Sequence, residues 1–272
     1  MMTMTKILLL SLTLSTVLHA AQLNQDQDMD GVPDSVDQCS DTPFLDVVDM
    51  KGCSTNTLIF PQERDDGSLD IAFGYGFSNN EDDIDRETQH TSKIQLSYYL
   101  NNWGYTLRTG YYTADDDSGM QDTILKIKRK FKLTKSLKVG LGVGVKLPTY
   151  DFTGNKTDYT LYGSVVYYPK SALSLFAGAS HTFINDETIT TPLQDTNTFY
   201  LGSGYFFTRN FYANLAYSYA ESKFTTNHAA QSVMSTLFYK INDKWFTTFS
   251  YNHEIDNNLH NSFNVKFGYS IW

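Results

Sequence analysis

The sequence predicts an all-β protein, an antiparallel transmembrane β-barrel of about 12 strands preceded by a short calcium-loop module. Three observations predict the barrel: apolar and polar residues alternate along the chain, short turns alternate with long polar loops, and aromatic residues cluster beside the short turns. The 272 residues are 15% aromatic, far too many for a solvated linker. Beyond the N-terminus, no apolar run approaches the ~20 residues of a membrane-spanning helix. The net charge of −9 argues against nucleic acid as a partner.

Residues 1–20 have the pattern of a secretory signal peptide. Lys6 precedes an apolar stretch at 7–18, and Ala20 ends the segment at a small-residue cleavage site. The sequence therefore predicts export, into a compartment where a disulfide can persist.

Charge is segregated in the rest of the chain. Residues 24–88 contain 17 acidic and three basic side chains, whereas residues 89–272 contain 13 acidic and 17 basic ones. We therefore divide the exported chain into an acidic module at 24–56, a linker at 57–68 and a barrel at 69–272.

The acidic module begins with a loop whose spacing suits a calcium ion. Carboxylates occupy loop positions 1, 3, 5, 9 and 12, which are Asp26, Asp28, Asp30, Asp34 and Asp37. Gly31 stands at position 6, where the chain must turn sharply, and Val32 at position 7 offers its backbone carbonyl. Ca²⁺ takes about 6–8 oxygen ligands, and this alternation directs several of them at one centre.

The segment 26–53, which continues with Thr42-Pro43 and Lys51-Gly52, resembles a thrombospondin type-3 repeat. It is most similar to the version in the linkers of two-domain, peptidoglycan-anchored outer-membrane proteins of Gram-negative bacteria. The resemblance implies that Asp26, Asp28, Asp30 and Asp37 are side-chain Ca²⁺ ligands, and that Asp34 binds directly or through water. It also implies a disulfide between Cys39 and Cys53.

Two features leave the module open to another interpretation. Position 12 is Asp37 rather than a bidentate Glu, so we expect weak affinity, on the order of 10⁻⁴–10⁻³ M. The segment contains a single repeat, and the peptidoglycan-binding domain that usually follows is absent. The alternative is a solvated acidic linker without a bound ion.

Twelve segments after the linker alternate as half-buried strands do. One face of the fifth, for example, is Leu, Val, Leu, Val, Val and Leu, and the other is Lys, Gly, Gly, Gly and Lys. Each segment has about the length that crosses a bilayer at a tilt. The predicted strands are 69–77, 91–101, 103–113, 121–133, 136–147, 157–168, 171–183, 196–207, 210–220, 230–241, 244–254 and 262–272.

The connections between these segments alternate in length. Short turns are predicted near 101–102, 134–135, 169–170, 209–210 and 242–243, with long polar loops at 78–90, 114–120, 148–156, 184–195, 221–229 and 255–261. This asymmetry is typical of a barrel in the bacterial outer membrane, with its short turns in the periplasm. Both chain ends, and hence the calcium module, are then periplasmic, and outer-membrane lipid surrounds the barrel.

Two residues fit this pattern poorly. Trp272 is out of phase with the apolar face of the last strand, and Arg129 shares the parity of the lipid-facing residues of its strand. A charge near the bilayer midplane costs about 2–4 kcal/mol. Either Arg129 reaches toward the periplasmic edge, or a bulge or a different register changes its direction.

The other parity of the strands, which faces the barrel interior, is rich in cations. The expected lumen residues are Lys93, Arg108, Lys126, Lys128, Lys130, Lys132, Lys138 and Lys146, with Lys240 and Lys266 on the same parity. Few acids share this parity, chiefly Asp70 and Glu254, so we expect the positive charge to be largely unneutralised. Basic residues lining a pore favour anions.

The sequence leaves three functions open. The first is a narrow pore that prefers small anionic solutes, and the second is a structural or surface-interaction barrel with a role in adhesion. The third, a lipid-modifying enzyme, needs a His and a nucleophile on one face, but the neighbours Ser180 and His181 point to opposite faces of a strand. We therefore predict that the protein is not an enzyme.

Overall fold

The computed structural model describes residues 37–38, 47–48, 53–56, 67–81, 86–114, 117–151, 153–170, 172–187, 191–255 and 260–271. The chain forms two compact units, Met1–Phe60 and Pro61–Trp272. The signal peptide, Asp26, Asp28, Asp30, Val32, Asp34 and Trp272 lie outside the described residues.

The described part of the first unit is a small antiparallel pair of strands. β1 (Val47–Val48) pairs with β2 (Ser54–Asn56), directly after Cys53. Cys39 lies outside the described residues, so its pairing with Cys53 stays a prediction, as does calcium binding at Asp37.

The second unit consists of long antiparallel strands, which alternate apolar and polar residues as predicted. The strands are β3 (Ser68–Glu81), β4 (Arg86–Leu100), β5 (Trp103–Thr113), β6 (Ser118–Met120), β7 (Thr123–Lys132), β8 (Leu137–Leu147), β9 (Asp158–Lys170), β10 (Leu173–Phe183), β11 (Thr196–Thr208), β12 (Phe211–Ala220), β13 (Ala230–Lys240), β14 (Trp245–Glu254) and β15 (His260–Ser270).

These strands close into a barrel of 12. Each long strand pairs with its neighbours in chain order, β4 pairs with β5, and β15 returns to pair with β3. The short β6 only extends the edge of β5 and does not complete the circle. The predicted fold class is therefore confirmed. No helix among the described residues is long and apolar enough to cross a membrane.

Three connections differ from the prediction. β3 and β4 continue to the pair Glu81–Arg86, so most of the predicted loop 78–90 is a hydrogen-bonded hairpin. β6 forms within the predicted loop 114–120, and Pro169 and Lys170 belong to β9. Backbone pairing holds these polar segments together without an apolar face, so the alternation of side chains did not reveal them.

The turn between β4 and β5 shows how the sequence sets the register. Asn101 and Asn102 have φ values of 49° and 68°, and Leu100 pairs with Trp103 across them. A two-residue turn with positive φ at both positions matches the twist of the flanking strands, and Asn tolerates that conformation better than most residues.

The outer surface of the barrel is apolar, whereas small, polar and some aromatic residues point inside. Phe73 and Leu201 are 60% and 64% exposed. The other large exposed apolar side chains of the strands also point outward, except Tyr99, which lies on the inward parity of β4. Ala72 and Ala216, which point inward, are almost fully buried. The fold therefore puts its hydrophobic face on the outside, the reverse of a water-soluble barrel.

Candidate functional site

Lysine and arginine side chains of four strands meet inside the barrel. Lys93 on β4 and Lys266 on β15 lie in one row of the wall, on either side of Gly74 in β3. Arg108 on β5 is close enough to both lysines to repel them electrostatically. Lys126 on β7 is repelled by Arg108 in the same way. We call Lys93, Arg108, Lys126 and Lys266 the cationic cluster.

The charge of the cationic cluster is not neutralised by the residues that the structure describes. Within the part of the chain that the structure describes, no carboxylate lies within salt-bridge distance of its four side chains. Lys266 Nζ donates a hydrogen bond of 3.3 Å to Gln95 Oε1, which is a neutral group. Uncompensated charges of one sign in a confined space create a field that attracts the opposite ion.

The lysines of β7 lie against a glycine-rich strand, in the pairs Lys126–Gly144, Lys128–Gly142 and Lys130–Gly140. A Cβ atom at Gly140 would collide with the Lys128 side chain, and one at Gly142 with the ring of Tyr162. The glycines therefore leave room for these side chains to lie along the wall. Lys128 Nζ donates a 2.8 Å hydrogen bond to Ser164 Oγ.

Two of these ammonium groups also lie over aromatic rings. Lys126 Nζ is 5.7 Å from the ring centre of Tyr162, and Lys130 Nζ is 5.6 Å from that of Tyr99. Cation–π contacts hold an ammonium group in place without adding a negative charge. The lysines are thus positioned but keep their charge.

Lys146 differs from the other predicted lumen residues. Its Nζ lies 2.8 Å from Asp158 Oδ2, 2.8 Å from Asp186 Oδ1 and 3.6 Å from Asp122 Oδ2. The expectation of an unneutralised charge is therefore wrong for Lys146. Asp186 belongs to a connection between strands, so the parity of the strands could not reveal it. Asp122 and Asp158 lie on the inward parity of the predicted strands 121–133 and 157–168, and the sequence interpretation overlooked them.

Asp186 joins several loops through this cluster. One carboxylate accepts hydrogen bonds from Lys146, from the backbone N–H of Lys156 and from Lys223, which come from three different connections or strand ends. Burial opposes ionisation of Asp186, but these three donors outweigh it and hold its pKa below the usual value. We call Lys146, Asp122, Asp158, Asp186 and Lys223 the loop-side network.

The remaining predicted lumen residues lie near the short turns. Lys132 and Lys138 pair across the β7–β8 hairpin, and Lys138 Nζ lies 5.6 Å from the ring centre of Tyr168. Lys240 Nζ forms a 2.8 Å ion pair with Asp243 in the next turn. These lysines belong to the turn end of the barrel and not to the cationic cluster.

The sequence interpretation missed an aromatic group on the inner wall. Six rings on β10–β14 point inward, and we call them the aromatic arc: Phe176, Tyr200, Phe206, Tyr212, Phe238 and Phe246. Ring centres lie 4.3 Å apart for Phe206 and Tyr212 and 5.8 Å apart for Phe238 and Phe246. Their parity, opposite to that of the lipid-facing residues, was the available signal.

Arg129 keeps the regular register of its strand. It pairs with Trp103, and no bulge interrupts β7, so both a bulge and a different register are wrong. Its guanidinium lies 5.2 Å from the ring centres of Trp103 and Phe131. The side chain therefore sits on the outer surface, among aromatic residues beside a short turn.

The described histidines do not form a catalytic arrangement with a nucleophile. Ser180 and His181 occupy opposite faces of β10, and His181 Nδ1 lies 2.9 Å from Asn197 Oδ1. His253 Nδ1 contacts Asn261 Oδ1 at 2.7 Å in the same manner. Nowhere in the described ranges do three His, Cys, Asp or Glu side chains meet in a way that could hold a metal ion.

Comparison with known proteins identifies the fold. No family model and no curated protein matches the chain. Solved structures of bacterial channels do match, at identities that show the fold alone. In fold, the barrel is similar to those of outer-membrane porins and channels.

Three such structures are similar over most of their own length. An outer membrane channel from Pseudomonas putida F1 has a TM-score of 0.56 at 12% identity, over 75% of this chain and 94% of that one. The NanC porin has a TM-score of 0.53 at 13% identity, over 74% and 98%. The KdgM porin in complex with disordered oligogalacturonate has a TM-score of 0.51 at 14% identity, over 72% and 98%.

Proposed function

We propose that this protein is an outer-membrane channel with a narrow passage that prefers small anions. The observation that carries the proposal is the cationic cluster, four basic side chains inside the barrel without a carboxylate beside them among the described residues. In a confined, low-dielectric passage, such charges lower the barrier for anions and raise it for cations.

The outer surface supports a place in the outer membrane. Its large apolar side chains are exposed on all sides of the barrel, for example on Phe73, Leu141, Leu201 and Phe267. Burying such a surface in lipid is favourable, whereas in water it would drive aggregation. The short turns then face the periplasm, as in other outer-membrane barrels.

The size of the barrel supports a narrow passage. Eight-stranded barrels are filled by side chains and barrels of 16–18 strands hold open water channels, so 12 strands lie between the two. Small anionic solutes suit this width, and the similar KdgM porin has been seen in complex with oligogalacturonate. The channel is a conduit and not an enzyme.

Single-channel recordings in planar bilayers with a salt gradient test this proposal. We expect a small conductance and a reversal potential of the sign that anion preference gives. Replacing Lys126, Lys128 and Lys130 by Gln should move the reversal potential toward cation preference, because these lysines face the interior and no described carboxylate forms an ion pair with them.

Lys240→Gln is the matched control, because Lys240 is already paired with Asp243 at the turn end. Each variant must show the heat-modifiable gel migration of a folded barrel. Absence of conductance in correctly inserted protein would favour a structural or surface-interaction barrel instead. An unchanged preference in the triple variant would place the lysines outside the ion path.

We also propose that the N-terminal module binds Ca²⁺ weakly in the periplasm. Its support is the loop spacing of Asp26, Asp28, Asp30, Asp34 and Asp37, the Val32 carbonyl, and the resemblance to a thrombospondin type-3 repeat with its Cys39–Cys53 disulfide. Calorimetry on the oxidised full-length protein should show binding that Asp28→Ala and Asp30→Ala abolish. Equal heats for the wild type and the variants would leave only an acidic spacer.

A further inference from the structure

We infer that the passage holds a binding site for carboxylates that bear an aromatic ring, formed by Phe238, Phe246 and Lys266. The inference rests on the proposed channel function and adds the chemical class of its solute. A cluster of cations alone would serve any small anion. The inner wall, however, also contains the aromatic arc, and the two meet at Lys266.

The register of the strands brings these three residues together. Phe246 on β14 is paired with Gly268, and Lys266 is the next inward residue along β15. Such diagonal neighbours in a sheet lie about 7–8 Å apart. Phe238 on β13 is paired with Thr248, which is itself paired with Lys266, so two strand spacings, about 10 Å, separate them.

The two rings form one apolar surface that is open to the interior. The ring centres of Phe238 and Phe246 are 5.8 Å apart, with a tilt of 30° between the ring planes. Both residues are partly exposed, and the ring of Phe246 lies over Gly268, where a Cβ atom would collide with it. Gly268 therefore allows the ring to lie along the wall beside Lys266.

The cation beside this surface is available to a ligand. Lys266 Nζ donates a hydrogen bond of 3.3 Å to Gln95 Oε1, and an ammonium group has three donors. Elsewhere in the barrel lysines lie over rings, as Lys126 does over Tyr162. Among the described residues no Lys or Arg lies over Phe238 or Phe246, so these ring faces are not occupied by a cation.

A ring-bearing carboxylate satisfies both halves of the site. Its ring can stack on Phe238 and Phe246 while its carboxylate accepts a hydrogen bond from Lys266, with Arg108 near enough to add attraction. Acetate or chloride can use only the cation. The site therefore distinguishes anions by what is attached to the charge.

Bi-ionic reversal potentials of the full-length protein in planar bilayers test the site, with benzoate, acetate and galacturonate compared against chloride. We expect benzoate to be preferred over acetate by about threefold, a modest effect for one ring contact. Phe238→Leu with Phe246→Leu should remove this preference and leave the preference for chloride over potassium unchanged. Lys266→Gln should weaken the entry of benzoate and acetate alike.

Phe249→Leu is the control, because Phe249 is in the same strand as Phe246 but faces outward against Phe263. If the double variant does not fold, Phe238→Leu alone serves the same purpose. Anion preference without any preference for benzoate would overturn the ring site and leave the channel proposal intact. A preference for galacturonate over benzoate that the ring variants abolish would overturn the aromatic assignment. A wild-type channel that prefers cations over anions would overturn the channel proposal itself.

Discussion

Lys128 and Lys146 are on neighbouring strands and face the same interior, yet their surroundings differ completely. Lys128 donates to Ser164 and is close to Lys126 and Lys130, which repel it. Lys146 is surrounded by Asp122, Asp158 and Asp186. One lysine keeps other lysines as its charged neighbours inside the barrel, whereas the other joins the loops at the loop end of the wall.

This comparison shows that the direction of a side chain and its electrostatic surroundings are set by different parts of the chain. The alternation along a strand decides which way a side chain points. The charges around it come from residues that are distant in sequence, since Asp186 lies 40 residues after Lys146. A basic residue inside a barrel is therefore evidence for ion selectivity only after its neighbours are known.

The largest effect is expected for Lys146→Met. This change removes the cation between buried carboxylates, and the loss of one partner of a buried ion pair costs about 3 kcal/mol or more in the free energy of unfolding. Urea unfolding of the barrel in lipid vesicles, followed by tryptophan fluorescence, measures the change.

Lys128→Met is the matched comparison. It removes one charge-assisted hydrogen bond to a neutral hydroxyl but also relieves repulsion from Lys126 and Lys130, so the free energy of unfolding should change by less than about 1 kcal/mol. Equal losses in the two variants would break the distinction between the lysines of β7 and the loop-side network.

Acidification should weaken the loop-side network through Asp186. Because the pKa of Asp186 is below its usual value in the folded protein, its contribution to stability is fully present above the usual value. The contribution is lost as the pH falls through the folded pKa. Unfolding midpoints at pH 7, 5 and 3 should therefore decrease mainly in the last interval.

Asp186→Asn is the control for this pH dependence. The variant should be less stable at pH 7, and its midpoint should fall less than that of the wild type between pH 5 and pH 3. An identical fall in both proteins would assign the acid sensitivity to groups other than Asp186.

The smallest effect is expected for Arg129→Leu. Arg129 is at the turn end of the outer surface between Trp103 and Phe131, where a charge costs about 0–1 kcal/mol and cation–π contacts offset part of that. The free energy of unfolding should change by less than about 1 kcal/mol. Leu201→Arg, near the middle of β11 on the outer surface, should cost about 2–4 kcal/mol. Similar costs at both positions would contradict the membrane orientation.

Most of the barrel could be predicted because its signals are local. The alternation that places Leu137 outward and Lys138 inward depends only on neighbouring residues, and the Asn101–Asn102 turn fixes its hairpin by backbone preference. The β3–β4 extension was missed because polar side chains reach beyond the apolar belt while the backbone still pairs.

The candidate site was predicted in part for the same reason. The inward direction of Lys93, Arg108 and Lys126 follows from alternation within each strand. Their assembly into one cluster, and the neutralisation of Lys146, depend on which strands and loops lie side by side. The aromatic arc was overlooked because the number of aromatic residues in a strand does not tell which of them point inward.

The pairing of β15 with β3 has a consequence for how the barrel assembles. Every other pair joins strands that follow each other closely in the chain, but Ser270 Oγ donates to Asp70 Oδ1 across 200 residues of sequence. The hairpins can form one after another, whereas closure must wait for the end of the chain and carries the entropy of a long loop. Until then the first and last strands present unpaired edges that can join another chain. A protein shortened before His260 would keep both edges exposed, so its fate should be aggregation and not a smaller barrel.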